Sequence, residues 1–362
     1  MGDAPFYTSP SFDILFTPRV YAQPMQIGSL SQPHKAPCAG VKTPSAPEAS
    51  SVEPLDTFET AQGVGSAVTY KLLKLKAKLL RKLSSGLSDQ PKVKMSKPLV
   101  CVQGFRSKPG GFAPLLEHLT ADGRNGGRAY YVKGGQFFLD PECRSPLEPG
   151  FKDKDARIFR VIPNDRFQNF ETCADQLQTE MKAIQEFTGE AKPDVLAHSM
   201  GGLSVRRYLD KFPVKIGKLM MLGTPHLGTK NADFARKVIA HNVGWALSLG
   251  GLSVAAGPAV EALRAVGSEE NANPFLDCLN SRWSEQEKKT DGAITLGGAG
   301  YETPTHDPDG FGEGDALVES SSLHLPGANV KILPGPKLHH TLPTDPDFFQ
   351  EMVSHFGWEN VS

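Results

Sequence analysis

The sequence predicts an α/β fold on a mostly parallel central sheet, with helices on both faces. Three observations lead there. From Lys97 onward, short apolar runs alternate with amphipathic helical stretches. Such alternation places parallel strands side by side, with helical crossovers between them. Second, Ser199 stands between an apolar run and a helical one, with Ala197 two residues before it and Gly201 two residues after it. Third, glycine-rich and polar segments follow the apolar runs. In a parallel sheet these segments gather at the carboxyl ends of the strands, where sites form.

The elements follow in order. Residues 1–65 are rich in Pro, Ser, Ala and Gln with little apolar periodicity, and read as an extended or disordered N-terminal extension. Residues 66–96 read as a basic amphipathic helix and a linker. Leu72, Leu75, Leu79 and Leu83 lie at helical spacing, with Lys71, Lys74, Lys78 and Lys82 interleaved. Such a helix suits a peripheral membrane or partner contact, or it packs its leucines on the domain that follows. That domain, 97–362, is expected to hold the chemistry. PLVCVQGF is a strand, GGFAPLLEHLTADG a loop and helix, and RIFRVIPND a second strand. A strong helix follows, with apolar residues at 174, 177, 181, 184 and 187. PDVLAHS, VKIGKLMMLG, AITLGGAG and ANVKILPG are further strands, and DPDFFQEMVSHF is a closing helix. Residues 133–155 are expected as a surface loop or hairpin. Residues 229–275, long, apolar and glycine-punctuated, are expected as a helical cap or lid.

Composition narrows the function classes. The chain has 362 residues and a formal net charge of −1, which argues against a nucleic-acid partner. No basic start followed by an apolar core marks a signal peptide. No run of about 20 apolar residues marks a membrane span. Cellular location is therefore unknown, cytoplasmic by default. The five cysteines, Cys38, Cys101, Cys143, Cys173 and Cys278, are scattered without a C-x-x-C pair. They form neither a disulfide framework nor a zinc site by spacing.

The segment DVLAHSMGG carries the chemistry. A chain that turns from strand to helix within about two residues brings positions 197 and 201 together, so only small side chains fit there. The turn lifts the Ser199 hydroxyl above the sheet at the positive end of a helix. A nucleophilic serine needs a base, an acid that orients the base, and an oxyanion hole. In this kind of fold the acid and base follow the serine in the chain. Asp315, in GEGDALVESSS, and His339, in LHHTLPTDP, are the candidates. The oxyanion donors expected are the backbone N–H groups of Met200 and Phe105. His226 reads as structural. Asp307, Asp309, Glu313 and Asp315 lack full calcium-loop spacing and read as a solvated acidic turn, with no metal expected.

These motifs together resemble those of α/β-hydrolase lipases and esterases, in particular the bacterial triacylglycerol lipases. AHSMGG is similar to their elbow with alanine first. LGTPHLGT, GDALVESSSLHLPGA and HHTLPTDPDFF are similar to their strand-end segment, acid loop and histidine loop. The H-x-x-L spacing matches His339 rather than His340. The resemblance runs from about residue 97 to 358, and the first 96 residues have no counterpart in it. It implies the α/β-hydrolase fold with a helical cap, and hydrolysis of acyl esters or lipids through an acyl-enzyme, without a cofactor. Gln103, His198, Trp245 and Leu247 are the residues expected to touch substrate. The chain departs from the family at Gln103-Gly104, where His-Gly is usual, and at Ala316, where glycine is usual. A phospholipase or acyltransferase at membranes, or a non-catalytic binding protein on the same fold, are the alternatives.

Overall fold

The computed structural model describes residues 86–104, 111–164, 169–230, 273–304 and 311–361. In chain order the elements are β1 (Lys92–Lys94), β2 (Leu99–Gln103), α1 (Ala113–Thr120), β3 (Ala129–Lys133), β4 (Gln136–Phe138), β5 (Ile158–Val161), α2 (Phe170–Thr188), β6 (Asp194–His198) and α3 (Met200–Lys211). They continue with β7 (Leu219–Leu222), α4 (Pro274–Ser281), α5 (Trp283–Glu287), β8 (Ala293–Ala299), β9 (Tyr301–Pro304), β10 (Phe311–Gly314), β11 (Val330–Pro336), α6 (Pro346–Phe356) and β12 (Glu359–Val361).

Eight strands form one sheet in the order β11-β8-β7-β6-β2-β5-β3-β4, parallel except for β4 at the edge. Strands β2, β6 and β7 are buried along nearly their whole length, as expected of strands covered on both faces. Alternate residues divide between two cores. Val100, Val102, Val195, Ala197, Leu219 and Met221 pack under α2 and α3. Leu99, Cys101, Leu196, Met220 and Leu222 pack under α1 and α6. The five apolar positions expected along α2 are all buried. That helix is capped by Asn169, whose side chain accepts from Thr172 N, and ends at Gly189 with φ of 77°.

From β2 the chain goes out to β3 and the edge strand β4, returns to β5 beside β2, and then crosses to β6, from which it winds the other way through β7, β8 and β11. The winding reverses between β2 and β6. Such a switch point opens a crevice at the strands' carboxyl ends. Gly104 follows β2, and Ser199 follows β6.

The structure adds to the sequence reading at several places. RAYYV is a strand, β3, that pairs with β4 as a hairpin, so the expected loop at 133–155 begins with sheet. Its turn is Gly134-Gly135, with φ of 60° and 73°, a two-residue turn that only glycines adopt without strain. Residues 86–96, expected as linker, supply Leu87, Val93 and Met95 to the core, and β1 pairs antiparallel with β12. Cys278 is disulfide-bonded, a bridge that the scattered spacing did not reveal. Cys101 is a buried thiol raised to about 12 by burial, in keeping with a core residue.

The hairpin is fastened from below. Glu180, fully buried on α2, accepts from Gly134 N at 2.7 Å and Gly135 N at 2.7 Å, and also from Gln176 Nε2 at 3.0 Å. Glu180→Ala should cost about 2–3 kcal/mol in urea unfolding, because it strips charge-assisted bonds from two turn amides. A loss below roughly 0.5 kcal/mol, the range of an ordinary surface change, would show that the clamp carries no load.

Candidate active site

The site is built around one strained residue. Ser199 caps α3 with φ of 58° and ψ of −135°, in a region that side-chain-bearing residues rarely occupy. Its surroundings hold it there. Ser199 N donates to Leu222 O at 2.8 Å, and Ser199 O accepts from Gly202 N at 3.0 Å and from Thr224 Oγ1 at 3.0 Å. Close backbone approach requires the glycines. A side chain at 201 would meet Val102 O at 2.5 Å, and one at 202 would meet Thr224 Oγ1 at 2.1 Å.

Three residues remote in sequence converge. Ser199 Oγ lies 2.9 Å from His339 Nε2, and His339 Nδ1 lies 2.7 Å from Asp315 Oδ2. With Nδ1–H donated to the carboxylate, Nε2 is left to accept the serine proton. Asp315 Oδ1 accepts from Leu317 N at 3.1 Å and Val318 N at 2.8 Å, and His339 N donates to Asp315 O at 3.0 Å. Asp315 and His339 are both buried. Ala316 follows the acid in the left-handed region, φ 72°. The usual glycine there is thus a conformational requirement, and alanine costs about 1 kcal/mol in meeting it. Gly223 leaves room for the pair: a side chain there would lie 3.1 Å from both Asp315 Oδ2 and His339 Cε1.

The end of β2 lies against the start of α3. A side chain at Gly104 would meet Met200 N at 2.6 Å, so the two backbones border one narrow cleft. Met200 opens α3, and the N–H of a first helical residue has no partner inside the helix. It is therefore available to an anion beside Ser199. Gln103 accepts from the buried Arg160 through Arg160 Nη2 to Oε1 at 2.8 Å, and Arg160 lies 5.8 Å from the Phe112 ring centre. Nothing in the spacing of the sequence pointed to Arg160.

His198, expected beside the nucleophile either to pack or to line the pocket, ends strand β6. The residue is buried, and its Nε2–H donates to His339 O at 2.9 Å. Its ring lies 4.9 Å from the His339 ring and 6.5 Å from Phe112. It therefore ties the histidine loop to the strand that carries the serine. His226 is equally enclosed: Nδ1 accepts from Arg206 Nη1 at 2.9 Å, and Nε2–H donates to Thr295 Oγ1 at 3.0 Å. Phe105, Trp245 and Leu247 lie outside the described residues. So do the basic helix, Asp307 and Asp309, and most of the expected cap. Among the described residues no group of three or more His, Cys, Asp or Glu is arranged for a metal ion, and no helix is long and apolar enough to cross a membrane.

Burial of the histidines has a consequence in acid. Burial, with the His339 ring beside it, pushes His198 down to about 3, and burial with Lys218 nearby pushes His355 down to about 4. Burial also lowers His226. Unfolded histidine titrates near 6.5, so below that pH the unfolded chain binds protons that the folded chain refuses. Stability is therefore full above about pH 6.5 and is lost as pH falls towards the folded values, at about 1.4 kcal/mol per pH unit for His198 alone. Urea midpoints taken from pH 7 to pH 5 should fall steadily, and more gently in His198→Phe. A flat profile would contradict the burial of these rings.

Comparison with known proteins adds the following. No family model matches the chain. Over 65 residues, 18% of its length, it is 34% identical to triacylglycerol lipases of Pseudarthrobacter phenanthrenivorans and Burkholderia plantarii. It spans only 20% and 18%, respectively, of those relatives. Among solved structures, Bacillus licheniformis lipase BlEst2 in its mature form is 17% identical, with a TM-score of 0.46, over 74% of this chain and 92% of that one. Phospholipase PlaB from Legionella pneumophila is 12% identical, with a TM-score of 0.43, over 70% of this chain and 59% of that one. By strand order, switch point and serine turn, the chain has the α/β-hydrolase fold, and in sequence it is similar over a short stretch to bacterial triacylglycerol lipases.

Proposed function

We propose that this chain is a serine hydrolase of carboxylic esters, of lipase or esterase type, working through Ser199, His339 and Asp315. One observation carries the reading: the hydrogen-bonded line from Ser199 Oγ through His339 to Asp315, at 2.9 and 2.7 Å, with the serine on a strained turn. The sequence similarity to triacylglycerol lipases supports it over its 65 residues.

The mechanism follows from these contacts. Ser199 Oγ attacks the ester carbonyl as His339 Nε2 takes its proton. Asp315 accepts from Nδ1–H and stabilises the imidazolium that forms. The carbonyl oxygen gains negative charge beside the Met200 N–H, with the Phe105 N–H as the second proposed donor. Collapse expels the alcohol, which leaves with the proton held on Nε2. Water then attacks the acyl carbonyl as its proton passes to His339 Nε2, the Ser199 Oγ–acyl bond breaks, and Nε2 returns the proton to Ser199 Oγ as the acid leaves. No cofactor takes part in this scheme.

Hydrolysis of p-nitrophenyl esters tests it. Ser199→Ala should lower kcat by roughly six orders of magnitude, and Asp315→Asn by roughly four, with folding intact by circular dichroism. Labelling of Ser199 by a fluorophosphonate should be lost in Ser199→Ala. Turnover equal to wild type in Ser199→Ala would sink the assignment. No turnover and no labelling in the wild-type chain would leave a non-catalytic binding protein on this fold. A preference for vesicle phospholipids over soluble esters would make it a phospholipase.

A further inference from the structure

Thr224 stands two residues beyond β7 and is fully buried. Its side chain reaches the backbone of the nucleophile, where Thr224 Oγ1 donates to Ser199 O at 3.0 Å. Gly202 N donates to the same oxygen at 3.0 Å. Both lone pairs of this carbonyl are thus engaged, one from its own helix and one from the segment after β7. The fit is close: a side chain at Gly202 would meet Thr224 Oγ1 at 2.1 Å and Thr224 Cγ2 at 2.7 Å.

The bond holds the peptide that joins Ser199 to Met200. A peptide unit is planar and trans, so its C=O and N–H point in opposite directions. Fixing Ser199 O therefore aims Met200 N–H, the donor that faces the developing oxyanion in the mechanism above. The Gly202 bond fixes that peptide only relative to α3. Thr224 fixes it relative to β7, whose Leu222 O also accepts from Ser199 N at 2.8 Å. Both peptides that flank Ser199 are thus held by the same strand end. Gly223, between Leu222 and Thr224, leaves the clearance for Asp315 and His339.

On the hydrolase reading above, we propose that Thr224 is a positioning residue for the oxyanion hole, acting through the Ser199–Met200 peptide. Without its hydroxyl, Ser199 O keeps Gly202 N as a partner, so no buried group is orphaned and the fold loses little. The peptide can then tilt, and Met200 N–H swings off the place that the oxyanion takes.

Three variants test this. Thr224→Val keeps the side-chain shape and removes the donor, Thr224→Ala removes the donor with different packing, and Thr224→Ser keeps the donor. kcat for p-nitrophenyl butyrate is taken per Ser199 labelled to completion by a fluorophosphonate, which counts only competent sites. It should fall at least about tenfold in Thr224→Val and Thr224→Ala, with KM within about twofold of wild type, since outright loss of an oxyanion donor costs about 10²–10³ in kcat and misaiming it costs part of that. Thr224→Ser should stay within about threefold of wild type. A trifluoromethyl ketone reports on the same group without turnover. Ser199 Oγ bonds to its carbonyl carbon, the carbonyl oxygen takes the electron pair, and the serine proton passes to His339 Nε2. Its affinity should fall in Thr224→Val by the factor lost in kcat/KM, while the urea midpoint stays close to wild type. A kcat within about twofold of wild type in both donor-free variants, a loss that falls on KM, or a Thr224→Ser as slow as Thr224→Val overturns the role. Labelling of the wild-type chain separates the two failures. A labelled, active enzyme indifferent to Thr224→Val refutes only the positioning role, whereas an unlabelled and inactive chain refutes the hydrolase reading and the role with it.

Discussion

Everything at the site depends on one backbone contact, the approach of the end of β2 to the first turn of α3. Gly104 lies against Met200 N, and Gly201 lies against Val102 O, at separations that exclude a side chain on either glycine. That approach forces the strand-to-helix turn to close within a residue. The turn in turn holds Ser199 at a positive φ and lifts its hydroxyl out of the sheet. Replacing either glycine would push the helix off the strand. The serine, the Met200 amide and the cleft between them would then move together, because all three share the same few peptide units.

Holding a helix so tightly against a sheet needs anchors at its far end. α3 carries two fully buried arginines. Arg206 donates to Gln286 Oε1, Asn280 Oδ1 and Leu279 O, each at 2.9 Å, and its guanidinium lies 5.4 Å from the Trp283 ring centre. Burial lowers it to about 9, which still leaves it cationic at neutral pH. Arg207 pairs with Glu171 of α2 at 2.6 Å and with Asp210 at 2.5 Å, and Asp210 also holds Arg282. Buried ion pairs add little net stability, but they penalise any other placement of the groups. We read them as registration devices: they fix α3 against α2, α4 and α5, so the strained turn at its other end has a rigid support.

The loops that complete the site are braced in the same manner. Lys337, two residues before His339, pairs with Asp345 at 2.9 Å and with Asp347 at the head of α6. Ser322 donates to Gly228 O, and Thr229 Oγ1 donates to Leu317 O at 2.7 Å, which ties the acid loop to the segment after β7. Ser322, the last of the three serines in the run after Asp315, is thus explained by a loop-to-loop bond. His198 supplies the last tie, from the serine strand to the His339 carbonyl.

By itself the sequence determined a good deal. Continuous apolar runs alternating with amphipathic helices sufficed for a mostly parallel sheet, because burial on both faces leaves no other pattern for such strands. Small residues around Ser199 sufficed for the turn, because no larger side chain fits it. Chain order, with the resemblance of the histidine loop that picks His339 over His340, was enough to name Asp315 and His339 as candidates. Other features came only from the tertiary structure. Strand β3 was hidden because its residues alternate between buried and half-buried and form no continuous apolar run. Arg160 and the inward place of His198 depend on which residues meet across strands and helices far apart in the chain. Such meetings are set by strand order and register, which no local pattern encodes.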